Sequence, residues 1–473
     1  MSIIEADTEN AVEKIFPLMR DIGSAIMLTL GNNTHSGNIG LRDPVDRDLF
    51  YVTSSGSQQG ALIKSDIVPL RFSNVSWGDA RASTESTIHR KILAIPGVEA
   101  AIHAHFLWAI SVSFDSKENR NFLIYEGEKD ATDEFSFVPI DFIGASILGK
   151  VPSGTYLESV GSAEMERRIP QYLMGNRATI VKGHGPFVRG ESLGECLHLL
   201  SMVDASAKLL ITARFRGVDT AAIAKRIWKG GAGAIYPYRP KGFNPAEMGR
   251  YDTKDQATIA AFKERAQFNF YQCISPYGTG SMSEKITERE MLYCPVASAP
   301  EGFEVAIHRL PIEPTPDDDW ELALHRTIYR ETNNKACIIT QSPLANAEAM
   351  SLIAEKFGIE ALTNPDSVDI DYSNRTDHPV VKPIDAEAVY LNPRVGLCNS
   401  NAPADAILDM LRWHKGACFV AGIGTIGVGK VTLEQAAHHV SSGESIAKFR
   451  QDVHLAHKLN NGPPIEYYEP ETQ

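Results

Sequence analysis

The sequence predicts an α/β fold, a mixed sheet layered with helices and present twice in one chain. Three observations carry that expectation. Strand-like and helix-like segments alternate along each half. The chain repeats itself at a spacing far longer than a solenoid unit of roughly 20–50 residues. A Gly-, Pro- and basic-rich stretch separates the two copies.

The elements follow in order. A helix is expected at 8–21, then a strand near 26–30 and a glycine-rich turn at 31–40. A strand at 48–53 ends in the turn SSGSQQG. Ser83 and Thr84 can cap a helix that runs to 94, where PGV breaks it. A strand at 98–104 follows; another, ATIVKG, meets the turn GHG; a long helix covers 192–214. In the second half, PIEPTPDDDW (311–320) reads as a loop whose Asp318 or Asp319 caps the helix ELALHRTIY.

The repeat is read from three matches in one order. ESTIHRKILAIPGVEAAIHAH (85–105) pairs with ELALHRTIYRETNNKACIITQ (321–341), an offset of 236 residues. ATIVKGHGPFVRGESLGECL (178–197) pairs with ACFVAGIGTIGVGKVTLEQAA (417–437), and Gly183, Gly185 and Gly190 fall on Gly422, Gly424 and Gly429. A looser match pairs LFYVTSSG (49–56) with MLYCPVAS (291–298). The expected organisation is therefore a metal-binding catalytic domain at 1–225, a linker at 226–250 and a second copy at 251–473. Each half is large enough for its own core.

Composition sets limits on function. The chain is 43% hydrophobic and 22% charged, as expected of a globular protein. A net charge of −13 argues against general nucleic-acid binding, which needs a basic face. No apolar run approaches the ~20 residues that span a bilayer, and the N-terminus lacks a signal-peptide pattern. The six cysteines are scattered without a CxxC pair, which fits reduced thiols and a cytoplasmic location.

The chemistry lies in the first half. In the strand IHAH, His103 and His105 are two residues apart and project from one face. His184 sits between two glycines in KGHGP, where the backbone can turn sharply and leave the imidazole open. Three neutral imidazoles with an open fourth position form a catalytic metal site. Glu85 lies in the helix just ahead of the IHAH strand, within reach of such a site, and a carboxylate there can move protons. Glu321 stands at the matching place of the repeat, so Glu85 and His89 can also serve as a fold-maintaining pair. The small polar turn residues Gly37, Asn38, Thr53, Ser54, Ser55, Gly56, Ser83 and Thr84 can form an anion cradle.

Taken in order, SGNIGLR (36–42), YVTSSG (51–56), STESTIHR (83–90), VEAAIHAHFLWAISV (98–112) and ATIVKGHGPFVRGESLGEC (178–196) resemble the class II aldolase and adducin N-terminal domain family. The resemblance covers residues 8–215. It implies a three-layer α/β/α domain of the fuculose-phosphate aldolase type, here duplicated in tandem. It also implies that His103, His105 and His184 hold a divalent metal, zinc first, with Mn2+, Fe2+ or Co2+ as alternatives. By the same likeness Glu85 transfers protons, and Gly37, Asn38, Ser55, Gly56, Ser83 and Thr84 bind the anionic end of a small substrate. Gly40 stands where the family commonly has Ser, and Thr84 where it has a second Ser. On the repeat register the ligand positions become Ile339, Gln341 and Ile423, so the second copy is expected to be non-catalytic.

The expected function is a metal-dependent lyase that breaks a carbon–carbon bond by retro-aldol cleavage or decarboxylation through a metal-stabilised enediolate. An epimerase or dehydratase would use the same site. A non-enzymatic, adducin-like assembly domain is the third alternative. The family's subunit-interface sites imply a homo-oligomer, a dimer of two-domain chains or larger. Neither nucleic acid nor membrane is expected as a partner.

Overall fold

The computed structural model describes residues 3–29, 35–73, 81–114, 123–125, 134–238 and 248–459. It divides into two compact units, one made of Met1–Pro139 and Leu148–Ala207, the other of Ile140–Ile147 and Lys208–Gln473. The division falls inside the helix Leu193–Phe215, ahead of the 226–250 segment. The helix Thr220–Gly230 reaches into that segment, and 239–247 lie outside the described residues.

The first unit is built on nine strands: β1 Asn38–Arg42, β2 Leu49–Thr53, β3 Ile67–Arg71, β4 Ala100–His103, β5 Leu123–Tyr125, β6 Glu134–Phe137, β7 Val151–Gly154, β8 Ala178–Val181 and β9 Gly185–Gly190. Their order is β3-β2-β1-β4-β9-β8-β7-β6-β5. Every neighbouring pair is antiparallel except β7 with β8. Side chains alternate between faces along a strand. Phe50, Val52 and Ala101 join one apolar cluster with Ile88 and Ile92 of the helix Ser86–Leu93 and with Met165, Ile169 and Leu173 of the helix Ala163–Gly175. The intervening Tyr51 and Ile102 face the other way and are equally inaccessible. Both faces of the sheet are thus covered, which makes three layers.

The second unit has eight strands: β10 Ser281–Lys285, β11 Glu290–Cys294, β12 His308–Pro311, β13 Ala336–Thr340, β14 Val380–Val381, β15 Val395–Cys398, β16 Ala417–Val420 and β17 Gly424–Gly429. Their order, β12-β11-β10-β13-β17-β16-β15-β14, reproduces that of the first unit from β3 through β6. Its one parallel pair, β15 with β16, falls where β7 and β8 lie in the first. The duplicated α/β fold read from the sequence is the fold observed.

The copies agree down to single glycines. Gly185 has φ +148° and Gly424 +149°, and a Cβ on either would collide with the carbonyl oxygen of Ala104 or Thr340. Gly37 and Gly280 likewise take left-handed φ and press against the carbonyls of His103 and Ile339. Strand pairing corrects the loosest repeat match. Asn38 pairs with His103 as Ser281 pairs with Ile339. Gly40 pairs with Val52 as Ser283 pairs with Tyr293, so Val52 corresponds to Tyr293, one residue earlier than the pattern match placed it.

Several elements differ from the sequence expectation. The apolar stretch near 26–30 is no strand, because the first helix runs Ile3–Thr29. Its buried residues Ile15, Met19, Ile22 and Ile26 recur at helical spacing. Strand β1 begins inside the stretch read as a turn, and β3 was not foreseen. Glu85, not Ser83 or Thr84, is the residue at the start of the helix Ser86–Leu93, while the Ser83 hydroxyl accepts from the Glu85 N–H at 3.2 Å. Asp319 caps the helix Trp320–Glu331 as expected, accepting from Leu322 N–H. Contrary to the apolar-run count, Leu193–Phe215 is long and apolar enough to cross a membrane, but 89% of its apolar window is buried within the protein. A fully apolar helix of that kind is also what a protein core uses.

Candidate metal centre

Strand β4 ends at His103, and the chain continues through Ala104 to His105. The turn between β8 and β9 carries His184. Gly185 has no side chain, so this turn lies directly against the Ala104 carbonyl. That approach brings the three imidazoles together. The Nε2 of His103 is 3.1 Å from the Nε2 of His105 and 3.1 Å from that of His184. His105 lies just past the strand, so chain direction after β4, rather than strand alternation, brings it round to His103.

The His103 ring is held on two sides. Its Nδ1 donates to the Pro186 carbonyl at 2.9 Å. A carbonyl only accepts, so the proton is on Nδ1 and the Nε2 lone pair is free. Phe187 stacks on the ring at 4.0 Å and 10°. Burial, then the neighbouring His105, pushes the His103 pKa well below the usual imidazole range. Burial, then His103, pushes His184 down to about 3. Burial lowers His105 against the pull of Glu85. All three rings are therefore neutral at physiological pH, the form that ligates metal.

The donor set fits a divalent ion. An ion bound tetrahedrally at ~2.0–2.1 Å from each nitrogen separates its ligands by about 3.3 Å, close to the observed 3.1 Å. Glu85 completes the surroundings. Its carboxylate is 3% exposed, with Oε2 3.7 Å from His103 Nε2 and Oε1 3.8 Å from His184 Nε2. Oε2 accepts from Asn38 Nδ2 at 2.7 Å, and Oε1 is buried without a hydrogen-bond partner in the chain.

The structure thus brings His103, His105, His184, Glu85, Asn38 and Ser83 together. The Asn38 amide is engaged inside the site. Its Nδ2 also donates to Ser83 Oγ at 3.1 Å, and its Oδ1 bonds His89 Nε2. The Gly37 carbonyl accepts from Gln59 Nε2 at 3.0 Å. Ser55, Gly56 and Thr84 are exposed; the Ser55 N–H donates to the Arg81 carbonyl at 2.8 Å and the Ser83 N–H to that of Thr53 at 3.2 Å, tying the two turns side by side. Three supporting residues were not foreseen: Pro186, Phe187 and Asp204. Asp204 accepts from the N–H groups of Trp108 and Ala109, at 3.0 and 3.1 Å, and so holds the short helix that follows His105. Its signal was an acidic residue within the apolar run LHLLSMVDASAKLLI, since a buried carboxylate needs partners.

The Class II Aldolase and Adducin N-terminal domain model matches residues 25–211 and again 273–450, together well over half of the chain. The chain belongs to this family. It is similar to the methylthioribulose-1-phosphate dehydratase of Microcystis aeruginosa, 26% identical over 191 residues, which is 38% of this chain and 85% of that enzyme. The Leptospira biflexa enzyme of the same name is 24% identical over 174 residues, 34% of this chain and 78% of the relative. Among solved structures, l-fuculose-1-phosphate aldolase from Thermus thermophilus is 24% identical with a TM-score of 0.36, covering 43% of this chain and 95% of its own. A sugar-phosphate aldolase from Thermotoga maritima is 15% identical with a TM-score of 0.30, covering 43% and 97%.

This aldolase-family chain carries its histidine triad in one copy. In the second copy Ile339 and Ile423 are buried and apolar, and Gln341 is a neutral amide. That set offers no ligand cluster.

Proposed function

We propose that the chain is a metal-dependent lyase of the class II aldolase type, with its chemistry in the first copy. Its substrate is a small anionic hydroxy-carbonyl compound, and the bond broken is carbon–carbon, by retro-aldol cleavage or decarboxylation. The observation that supports this is the Glu85 carboxylate, buried beside the His103 and His184 nitrogens with one oxygen free of partners.

His103, His105 and His184 would hold a divalent metal, zinc first, with Mn2+, Fe2+ or Co2+ able to replace it. Bound there, the ion supplies Lewis acidity to a substrate carbonyl and hydroxyl. Glu85 takes or returns a proton at the reacting carbon or hydroxyl, through the oxygen that meets no protein donor. Asn38 holds the other oxygen and so fixes the direction of the carboxylate. Ser83, with the exposed Ser55, Gly56 and Thr84 and the backbone at Gly37, receives the anionic group of the substrate. We place the catalytic domain at 1–225, a linker at 226–250 and a non-catalytic copy at 251–473, in a cytoplasmic homo-oligomer.

A dehydratase is the second reading, favoured by the sequence relatives, both named methylthioribulose-1-phosphate dehydratases. It would use Glu85 for the same proton movement and lose water instead of a carbon fragment. The test is a panel of sugar phosphates, hydroxy acids and a methylthio-ketose phosphate given to the metal-loaded chain, with aldehyde, carbon dioxide and dehydrated product measured separately. Release of aldehyde or carbon dioxide is expected. Dehydrated product alone would replace the lyase reading with the dehydratase. Glu85→Gln should keep metal and fold and lower turnover by about 10²-fold or more; full turnover in that variant would overturn the proton-transfer role.

A further inference from the structure

The second unit contains a cleft of about 770 Å³, within the range of small-molecule sites. It opens where β13 and β16 begin and β17 ends. The positions that replace the metal ligands, Ile339 and Ile423, lie at the other end of those strands. The cleft is therefore not the remnant of a metal centre.

Its lining is cationic. Arg412, Lys415 and Lys430 line it with one acidic residue, Glu331, beside the imidazoles of His438 and His439. Arg412 is fixed in place, pairing with Asp409 at 3.2 Å and donating to the Glu331 carbonyl at 2.7 Å. Lys415 and Lys430 are exposed, and neither has a carboxylate at ion-pair distance among the described residues. Lys415 holds a left-handed φ of 57°, unusual for a residue with a side chain.

A second observation is independent of this charge. Asn392 lines the same cleft and is fully buried. Its Oδ1 accepts from His439 Nδ1 at 2.7 Å. Its Nδ2 is buried and meets no acceptor of the chain. Buried amide donors are almost always satisfied, so one left over at a cleft wall calls for an acceptor from outside. An amide oxygen only accepts, so in this pair His439 Nδ1 carries the proton and the amide nitrogen of Asn392 is left as the spare donor.

We propose that this cleft binds a small phosphate-bearing metabolite, with Lys415 and Lys430 neutralising the phosphate and Asn392 donating to it. Two unpaired ammonium groups and a spare amide donor suit a multiply charged oxyanion rather than a neutral sugar. The site does not rest on the lyase reading, because none of its residues belongs to the His103, His105 and His184 cluster.

The test is calorimetric titration of the full, chelator-treated chain with pyrophosphate, beside citrate and glucose. One pyrophosphate per chain is expected at this cleft, and it persists in His103→Ala/His184→Ala. Lys415→Glu/Lys430→Glu should weaken it at least tenfold while leaving the ligand-free melting midpoint unchanged, since both side chains are exposed. Asn392→Asp should weaken it as well. Absence of binding at millimolar pyrophosphate, or unchanged affinity in the double lysine variant, would overturn the site. Equal affinity for citrate would overturn its assignment to phosphate.

Discussion

Asn38 offers the sharpest test of how the site is held. Its Nδ2 donates to the buried Glu85 carboxylate, and its Oδ1 pairs with His89, which is inaccessible to solvent. The second copy performs half of this experiment already. Ser281 stands where Asn38 does, and its hydroxyl bonds His325, the counterpart of His89, at 2.9 Å. Asn38→Ser should therefore keep the histidine satisfied and lose the bonds that Nδ2 makes to Glu85 and Ser83, of which the one to the carboxylate is the stronger. A hydrogen bond to a charged group contributes roughly 1.5–3 kcal/mol. If that bond positions Glu85 in the transition state, turnover falls by about 10- to 100-fold, with KM changed little. Asn38→Ala also orphans the buried His89 Nε2, adding roughly 1–3 kcal/mol of destabilisation. The measurements are urea midpoints and steady-state kinetics on both variants, alongside metal content to show the triad intact. The reasoning fails if Asn38→Ala is no less stable than Asn38→Ser, or if Asn38→Ser keeps full turnover.

Removal of one ligand, as in His103→Ala or His184→Ala, should abolish bound metal and activity together, because two imidazoles make a weak site. Metal analysis of the wild type should return about one ion per chain, since among the described residues one copy alone has the triad; two tightly held ions would refute the reading of the second copy. The pH dependence of stability follows from buried neutral histidines. His89 is pushed down to about 4 by burial, against 6.5 for a free ring. Its folded pKa lies below its unfolded one, so the unfolded chain binds the proton first as pH falls. Stability is then full above 6.5 and is lost between 6.5 and about 4, by on the order of 3 kcal/mol. His184 acts in the same direction in chelated protein. Urea midpoints from pH 7 down to 4 check this, and a decline of equal steepness in His89→Gln would remove His89 from the account.

The triad was legible because its signals are local. IHAH and KGHGP each put histidine where a strand ends, and glycine on either side of His184 marked a close backbone approach. Glu85 was legible by proximity to that strand. The contact of Asn38 with Glu85 was not, because nothing in a glycine-rich turn tells which distant side chain its asparagine meets, and only the fold puts Glu85 2.7 Å away. Pro186 and Phe187 act through a carbonyl and a ring face, which leave no residue-type signature. The long first helix was misread at its end because IMLTL suits a strand as well as a helix when taken in isolation. Strands β5 to β7 fall in 114–160, where no repeat partner or motif guided the reading.

The two copies separate what the fold requires from what the chemistry requires. Retained in both are the backbone approach at Gly185 and Gly424 and the histidine behind the first strand, His89 and His325. Also retained is a carboxylate on the long helix that caps the helix after the ligand strand. Asp204 does this for Trp108 and Ala109, and Glu444 does it for Leu344 and Ala345, at 3.1 and 2.9 Å. Each of these satisfies a buried polar group or allows two chain segments to meet, so each is needed whether or not a reaction takes place. Glu85 and Glu321 look like another such pair in sequence, yet they part company in structure. Glu85 is buried against two imidazoles and clamped by Asn38, whereas Glu321 lies half-buried in the first turn of its helix and the Asn38 position has become a serine turned to His325. A glutamate kept only for the fold would have kept its surroundings. In the first copy those surroundings are the histidine triad and a donor that fixes one carboxylate oxygen and leaves the other without a hydrogen-bond partner, the arrangement a proton-transfer group needs.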